Sequence, residues 1–94
     1  LRLLGQLILE EFKKKHTIAK KPIDAWIAEI QASSWKTSQC IKSRYRSADF
    51  LHSNKVIFDI KGNTYRLVTK VDYARQVVLV EWVGSHAEYQ KKTF

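Results

Sequence analysis

The sequence predicts an α+β domain in which an N-terminal helical hairpin packs on a small, mainly antiparallel sheet of three to four strands. Three observations carry this. Apolar residues recur at three- and four-residue spacing early in the chain. Three later runs are rich in Val, Ile, Tyr and Phe. Two turn signals, Gly62-Asn63 and the loop Tyr73 to Gln76, separate those runs. Ninety-four residues suit one domain spanning 1–94. Its helical half covers about residues 4–46, its β half about 55–84, and a short tail covers 85–94.

The first helix is predicted from Leu4, Leu7, Ile8 and Phe12, with Lys13 to Lys15 suiting the negative end of its dipole. Thr17 to Lys21 breaks the pattern, and Pro22 fits the first position of a second helix. Ile23, Trp26, Ile27 and Ile30 form that helix's apolar stripe. Thr37 or Ser38 can cap a short basic helix holding Cys40, Ile41 and Tyr45. Ser47 to Asn54 reads as an irregular connection.

Lys55–Lys61, Thr64–Val71 and Val77–Val83 read as strands. A two-residue turn at Gly62-Asn63, where Gly and Asn tolerate positive φ, sets a register with Asp59 opposite Arg66 and Ile60 opposite Tyr65. The loop Tyr73 to Gln76 places Asp72 opposite Val77 and, by continuation, Val83 opposite Arg66. Side chains alternate between faces. Val56, Phe58, Ile60, Tyr65, Leu67, Thr69, Val71, Val78, Val80 and Trp82 then share an apolar face for the helices. Lys55, Ile57, Asp59, Lys61, Arg66, Val68, Lys70 and Glu81 share the other, expected to stay open.

The chain carries 17 Lys+Arg against 9 Asp+Glu, a formal charge of +8. That excess favours a polyanionic partner: nucleic acid, an acidic protein or an anionic membrane surface. The bland reading is a solubilising charge. One cysteine, Cys40, excludes an internal disulfide and a Cys-rich metal site and is compatible with a reducing cytoplasm. It reads as a small, partly buried packing residue. No apolar run reaches the roughly 18 residues that span a bilayer. LRLLGQLIL, with Arg2 and Gln6, is not read as a signal peptide. No metal pattern and no cofactor motif is present, and His86 with Glu88 is too sparse a ligand set.

The candidate site lies where this register brings Arg66 and His86 to the same end of the sheet, with Lys61 and Asn63 at the turn. Arg66 is either a cross-strand partner of Asp59 or a phosphate ligand that Asp59 pre-orients. His86 is either a surface histidine or an acid–base group. Tyr89, one helical turn on, either anchors the tail or contacts a nucleotide. Lys55, Lys70, Arg75, Lys91 and Lys92, each a generic surface charge alone, together suggest a polyanion groove.

These residues resemble HigB-family toxins of the RelE superfamily. The resemblance covers nearly the whole chain: PIDAW, VIFDIKGNTYRLVTKVDY and QVVLVEWVGSHAEYQK. Its strongest elements are Gly62, Asn63 and Arg66 in GN-x-x-R, and the closing SHAEY, where Ser85 departs from the family's usual Thr. The resemblance implies a RelE-like fold and a metal-independent, ribosome-dependent endoribonuclease (an mRNA interferase) that acts on mRNA and arrests growth. It implies catalytic roles for Arg66, His86 and Tyr89, and weaker ones for Lys61 and Asn63. It also implies a cognate HigA-type helix-turn-helix antitoxin, expected to be acidic at its contact surface, with operator DNA bound only through the complex. The alternative from charge alone is a non-catalytic RNA- or ribosome-binding inhibitor of translation. A DNA-binding regulator is disfavoured, because the second helix spends its face on the core.

Overall fold

The computed structural model describes residues 1–94. Its elements run β1 (Arg2–Leu4), α1 (Gln6–Lys15), a 3-10 turn (Thr17–Ala19), α2 (Lys20–Ala32), α3 (Ser38–Arg44), β2 (Asp49–Leu51), β3 (Lys55–Ile60), β4 (Tyr65–Asp72), β5 (Val77–Ser85) and α4 (His86–Gln90). The α+β class is as expected, but the sheet has five strands, ordered β1-β5-β4-β3-β2. β1 is parallel to β5, and the other pairs are antiparallel. The two strands beyond expectation are three-residue edges, too short to show an alternation. β2 falls in the segment read as irregular.

Gly5 explains why β1 looked helical. Its φ of +80° turns the chain from strand to helix, and a Cβ there would sit 2.6 Å from the Val80 carbonyl oxygen. Only glycine passes that close to β5 in a left-handed conformation. The junction also sets the rotation of α1, which buries Leu9 and Phe12. The expected stripe is therefore corrected: Leu4 lies in β1, and Leu7 and Ile8 face solvent.

α2 buries Ile23, Trp26 and Ile30, with Ile27 packed beside them. Pro22 occupies its third position rather than its first, still among the residues whose N–H has no intrahelical partner. Lys13 ties the two helices together through Glu10 on its own helix and Asp24 on α2. α3 turns Ile41 inward. Cys40 is exposed, not partly buried: it stands about 100° around this short helix from Ile41, off the buried face.

The β3–β4 register agrees with expectation at every pair from Lys55↔Lys70 to Ile60↔Tyr65. The turn differs in detail, since positive φ falls on Lys61 (55°) and Gly62 (64°) rather than on Asn63. β4 and β5 pair as expected from Asp72↔Val77 to Thr69↔Val80. A bulge between Val68 and Thr69 then inserts Glu81, so Val68 faces Trp82 and Arg66 faces Gly84. One extra residue exchanges the faces beyond it. Val83 therefore joins the core, and Trp82, expected inside, moves to the opposite face.

The core lies between the helices and one face of the sheet, around Phe58, where Trp26, Trp35 and Tyr45 converge. The other face is not bare. Ile57 and Val68 at its centre are fully buried, and α4 packs back on β4 and β5. Gln76, at φ 57°, closes the β4–β5 loop. Its amide donates to Trp35 and Tyr73 carbonyls and accepts from the Trp35 N–H, while its own carbonyl accepts from Arg2 in β1.

Candidate functional site

Arg66 is the centre of the site. It leaves β4 on the face away from the core, directly opposite Asp59. Its Nη1 donates to Asp49 Oδ2 at 3.0 Å. Its Nε lies 2.9 Å from Asp59 Oδ1, yet that N–H is directed at His86 Nδ1, 3.3 Å away. Asp59 Oδ1 is consequently buried with no hydrogen-bond donor. The Arg66–Asp59 contact is an ion pair by proximity rather than a directed hydrogen bond. Both side chains are largely sheltered, 15% and 13% exposed, whereas Asp49 is 57% exposed. The guanidinium also lies over the Tyr89 ring, 5.1 Å from its centroid.

His86 reaches Arg66 because β5 ends beside the β3–β4 turn, where the His86 N–H donates to the Thr64 carbonyl at 3.2 Å. It opens α4, which Ser85 and Glu88 start with a capping box. The Glu88 N–H donates to Ser85 Oγ at 3.1 Å, and the Ser85 N–H donates to Glu88 Oε1 at 2.8 Å. Hydrogen bonds from Ser85, its backbone N–H first and then its side chain, hold the Glu88 carboxyl below its ordinary value. The cap fixes the start of the turn that carries His86 and Tyr89.

The hydrogen bonds set the imidazole's roles. Arg66 offers only donors, so His86 Nδ1 accepts. In the neutral ring Nε2 then carries the proton. Its neighbour at 3.1 Å is the Gln90 side-chain amide, which suits that proton when its oxygen is turned inward.

Arg66, His86 and Tyr89 are thus brought together. Lys61 and Asn63 stand exposed in the adjoining turn, without hydrogen bonds to those three. Lys55 lies on the same face, paired with Glu81 at 2.6 Å, with its Nζ over the Phe94 ring. Lys92 lies over the Trp82 ring, and Lys91 and Lys70 are exposed. Arg75 sits in the β4–β5 loop, at the other end of the sheet from Arg66, bound to Asp72. No group of three or more His, Cys, Asp or Glu side chains is arranged to hold a metal ion. No helix is long and apolar enough to cross a membrane.

Asp49 is not legible in the sequence, because a three-residue strand shows no alternation, and neither is Trp82, because nothing in the turn spacing announces the bulge. Glu88, weighed in the sequence only as a metal ligand with His86, caps α4; Ser-x-x-Glu before a short helix is the signal for that role.

The family model for HigB toxins, described as the RelE-like toxic component of a toxin–antitoxin system, matches residues 19–92. The chain belongs to the HigB toxin family. No curated protein matches it. As a HigB-family toxin it has an antitoxin for a partner. The matched segment contains every residue of the site except Phe94, and it excludes β1 and all of α1.

Proposed function

We propose that this HigB-family toxin is an endoribonuclease that cuts mRNA on the translating ribosome, in the cytoplasm and without a metal. The observation that carries this reading is the convergence of a sheltered guanidinium, an imidazole and a phenol at one corner of a basic protein. The reaction that fits is attack of an RNA 2′-OH on the adjacent phosphate. The new 2′-O–P bond closes a 2′,3′-cyclic phosphate, the P–O5′ bond breaks, and the 5′-oxygen leaves with a proton. Such a step needs a base, a cation at the crowded phosphate and an acid.

Arg66 supplies the cation, bidentately if its outer edge is released by Asp49. Phosphate binding then has a second effect. A guanidinium drawn toward phosphate leaves His86 Nδ1, and that lone pair becomes the free base. Tyr89 orients the nucleotide beside it. Lys61, Asn63, Lys55, Lys70, Lys91 and Lys92 add field along the RNA path, and Arg75 does so from the far end.

The closed state of the site favours one second reading. With Arg66 held by Asp49 and Asp59, and Nδ1 occupied, the toxin would block translation by occupancy alone. Mapping mRNA 5′ ends after adding purified toxin to translating ribosomes separates the two. New ends that vanish in folded Arg66→Ala and His86→Ala establish cleavage. Arrest without new ends establishes occupancy, and full toxicity of both folded variants overturns the site.

For the antitoxin, we propose a HigA-type helix-turn-helix protein with an acidic contact surface, operator DNA being bound only through the complex. A toxin of charge +8 attracts such a partner by complementary fields, so the association rate should fall with salt. A salt-independent rate would count against steering.

A further inference from the structure

We propose that Trp82 and Phe94 join Tyr89 in an aromatic platform on which an unpaired nucleobase of single-stranded RNA stacks, beside the phosphate held by Arg66. The inference rests on the RNA-cleaving reading and deepens it by naming the subsite for a base.

The platform is built by two local devices. The bulge at Glu81 turns Trp82 out of the core and onto the Arg66 face. Gly84 then lets the indole lie against the backbone. A Cβ at position 84 would fall 2.5 Å from Trp82 Cη2 and 2.5 Å from Cζ2. Tyr89 arrives from α4 and Phe94 from the segment after it. Trp82 lies 6.3 Å from Tyr89 and 5.6 Å from Phe94 between ring centroids. Tyr89 and Phe94 are nearly parallel, 12° apart at 5.6 Å.

Two properties separate this cluster from a piece of core. The core aromatics Trp26, Trp35 and Phe58 are at most 4% exposed, whereas all three platform rings keep part of their surface in solvent. Each platform ring also has its own cation: Arg66 at 5.1 Å from Tyr89, Lys92 at 5.8 Å from Trp82 and Lys55 at 5.9 Å from Phe94. Rings interleaved with cations are what a strand of unstacked bases and phosphates requires. The rings offer π-faces to bases of any sequence, and the cations track the backbone.

The test measures binding of a 2′-O-methyl oligoadenylate of about six nucleotides, which has no nucleophilic 2′-OH and cannot be cut by this route. Trp26 and Trp35 are buried, so quenching of tryptophan fluorescence by the oligonucleotide reports on Trp82. Trp82→Ala should weaken binding by about 5- to 150-fold and remove the quenching, while Trp82→Phe keeps most of the affinity. Phe94→Ala should weaken it in the same direction. An abasic version of the oligonucleotide should bind wild-type toxin more weakly by a similar factor and should lose nothing further against Trp82→Ala. Equal binding of the abasic and intact strands by wild-type toxin overturns the platform, and that arm needs no variant to fold. Binding as tight as wild type by folded Trp82→Ala also overturns it. Because the probe is not cut, these outcomes leave the cleavage reading to its own assay.

Discussion

Ser85 is a small side chain on which the candidate site depends, and replacing it by alanine gives a bounded prediction. α4 has five residues, too few to hold a helix by propensity alone. Ser85 Oγ satisfies the Glu88 N–H, and no other side chain substitutes for it. Loss of a serine N-cap costs about 0.5–2 kcal/mol, typically about 1. In a domain of this size about 1 kcal/mol lowers Tm by roughly 4–8 °C. It also raises the open population of α4, and so the exchange rate of the Glu88 amide, by about fivefold. Thermal and urea melts with amide exchange measure both, and Ser85→Thr should restore both. The other half of the box is pH-dependent. The Glu88 carboxyl is held below its ordinary value by Ser85, so its contribution is present above that ordinary value. It is lost as pH falls through the lowered one. The gap between wild type and Glu88→Ala should therefore narrow in acid. Stability of Ser85→Ala within about 0.3 kcal/mol of wild type, with unchanged Glu88 exchange, would refute the reasoning. So would a gap that widens as pH falls.

Asp49→Asn should tighten binding of a non-cleavable oligonucleotide by up to about fivefold at low salt, because a half-exposed carboxylate at 3.0 Å competes with phosphate for Arg66. Weaker binding would mean that Asp49 positions the guanidinium instead. Gln76→Ala should cost about 2–3 kcal/mol in a urea melt, since it strands the Trp35 N–H and carbonyl and keeps a strained φ. Gln76→Gly should fall between the two, relieving the strain but not the lost bonds. Asp24 and Asp72 are held below their ordinary values, by Lys13 and Lys20 and by the Arg75 backbone and side chain. The unfolded chain binds protons at these groups first, so their contribution should be lost as pH falls below about 4. In the Asp24→Asn/Asp72→Asn double variant the acid slope should be shallower; an unchanged slope would place acid sensitivity elsewhere.

The legible parts of this fold are those governed by local periodicity. The α2 stripe and the β3–β4 register follow from spacing and a single turn, and that register alone puts Asp59 against Arg66. The parts that escaped depend on contacts distant in sequence. Leu4 reads as helical until Gly5 is seen pressed against Val80. Trp82 reads as core because the alternation in VLVEWV is unbroken, while the bulge at Glu81 is decided by pairing with β4. Asp49 reads as loop because three residues cannot display a period. The Arg66–His86 pairing was legible, since it needs only the turn and the strand end. The aromatic neighbourhood was not, since it needs the bulge.

The position of β5 has a consequence for the order of events in synthesis. It lies inside the sheet, between β4 and β1, and its partner β1 precedes it in the chain by the whole helical half and three strands. A nascent chain therefore carries an unmatched first strand until Val77 to Ser85 appears, and closing so long a loop is slow. Trp82, His86 and Tyr89 are all encoded at or beyond that strand. The candidate site thus stays unassembled until β5 and α4 are made, and the step that completes the sheet also brings its side chains together.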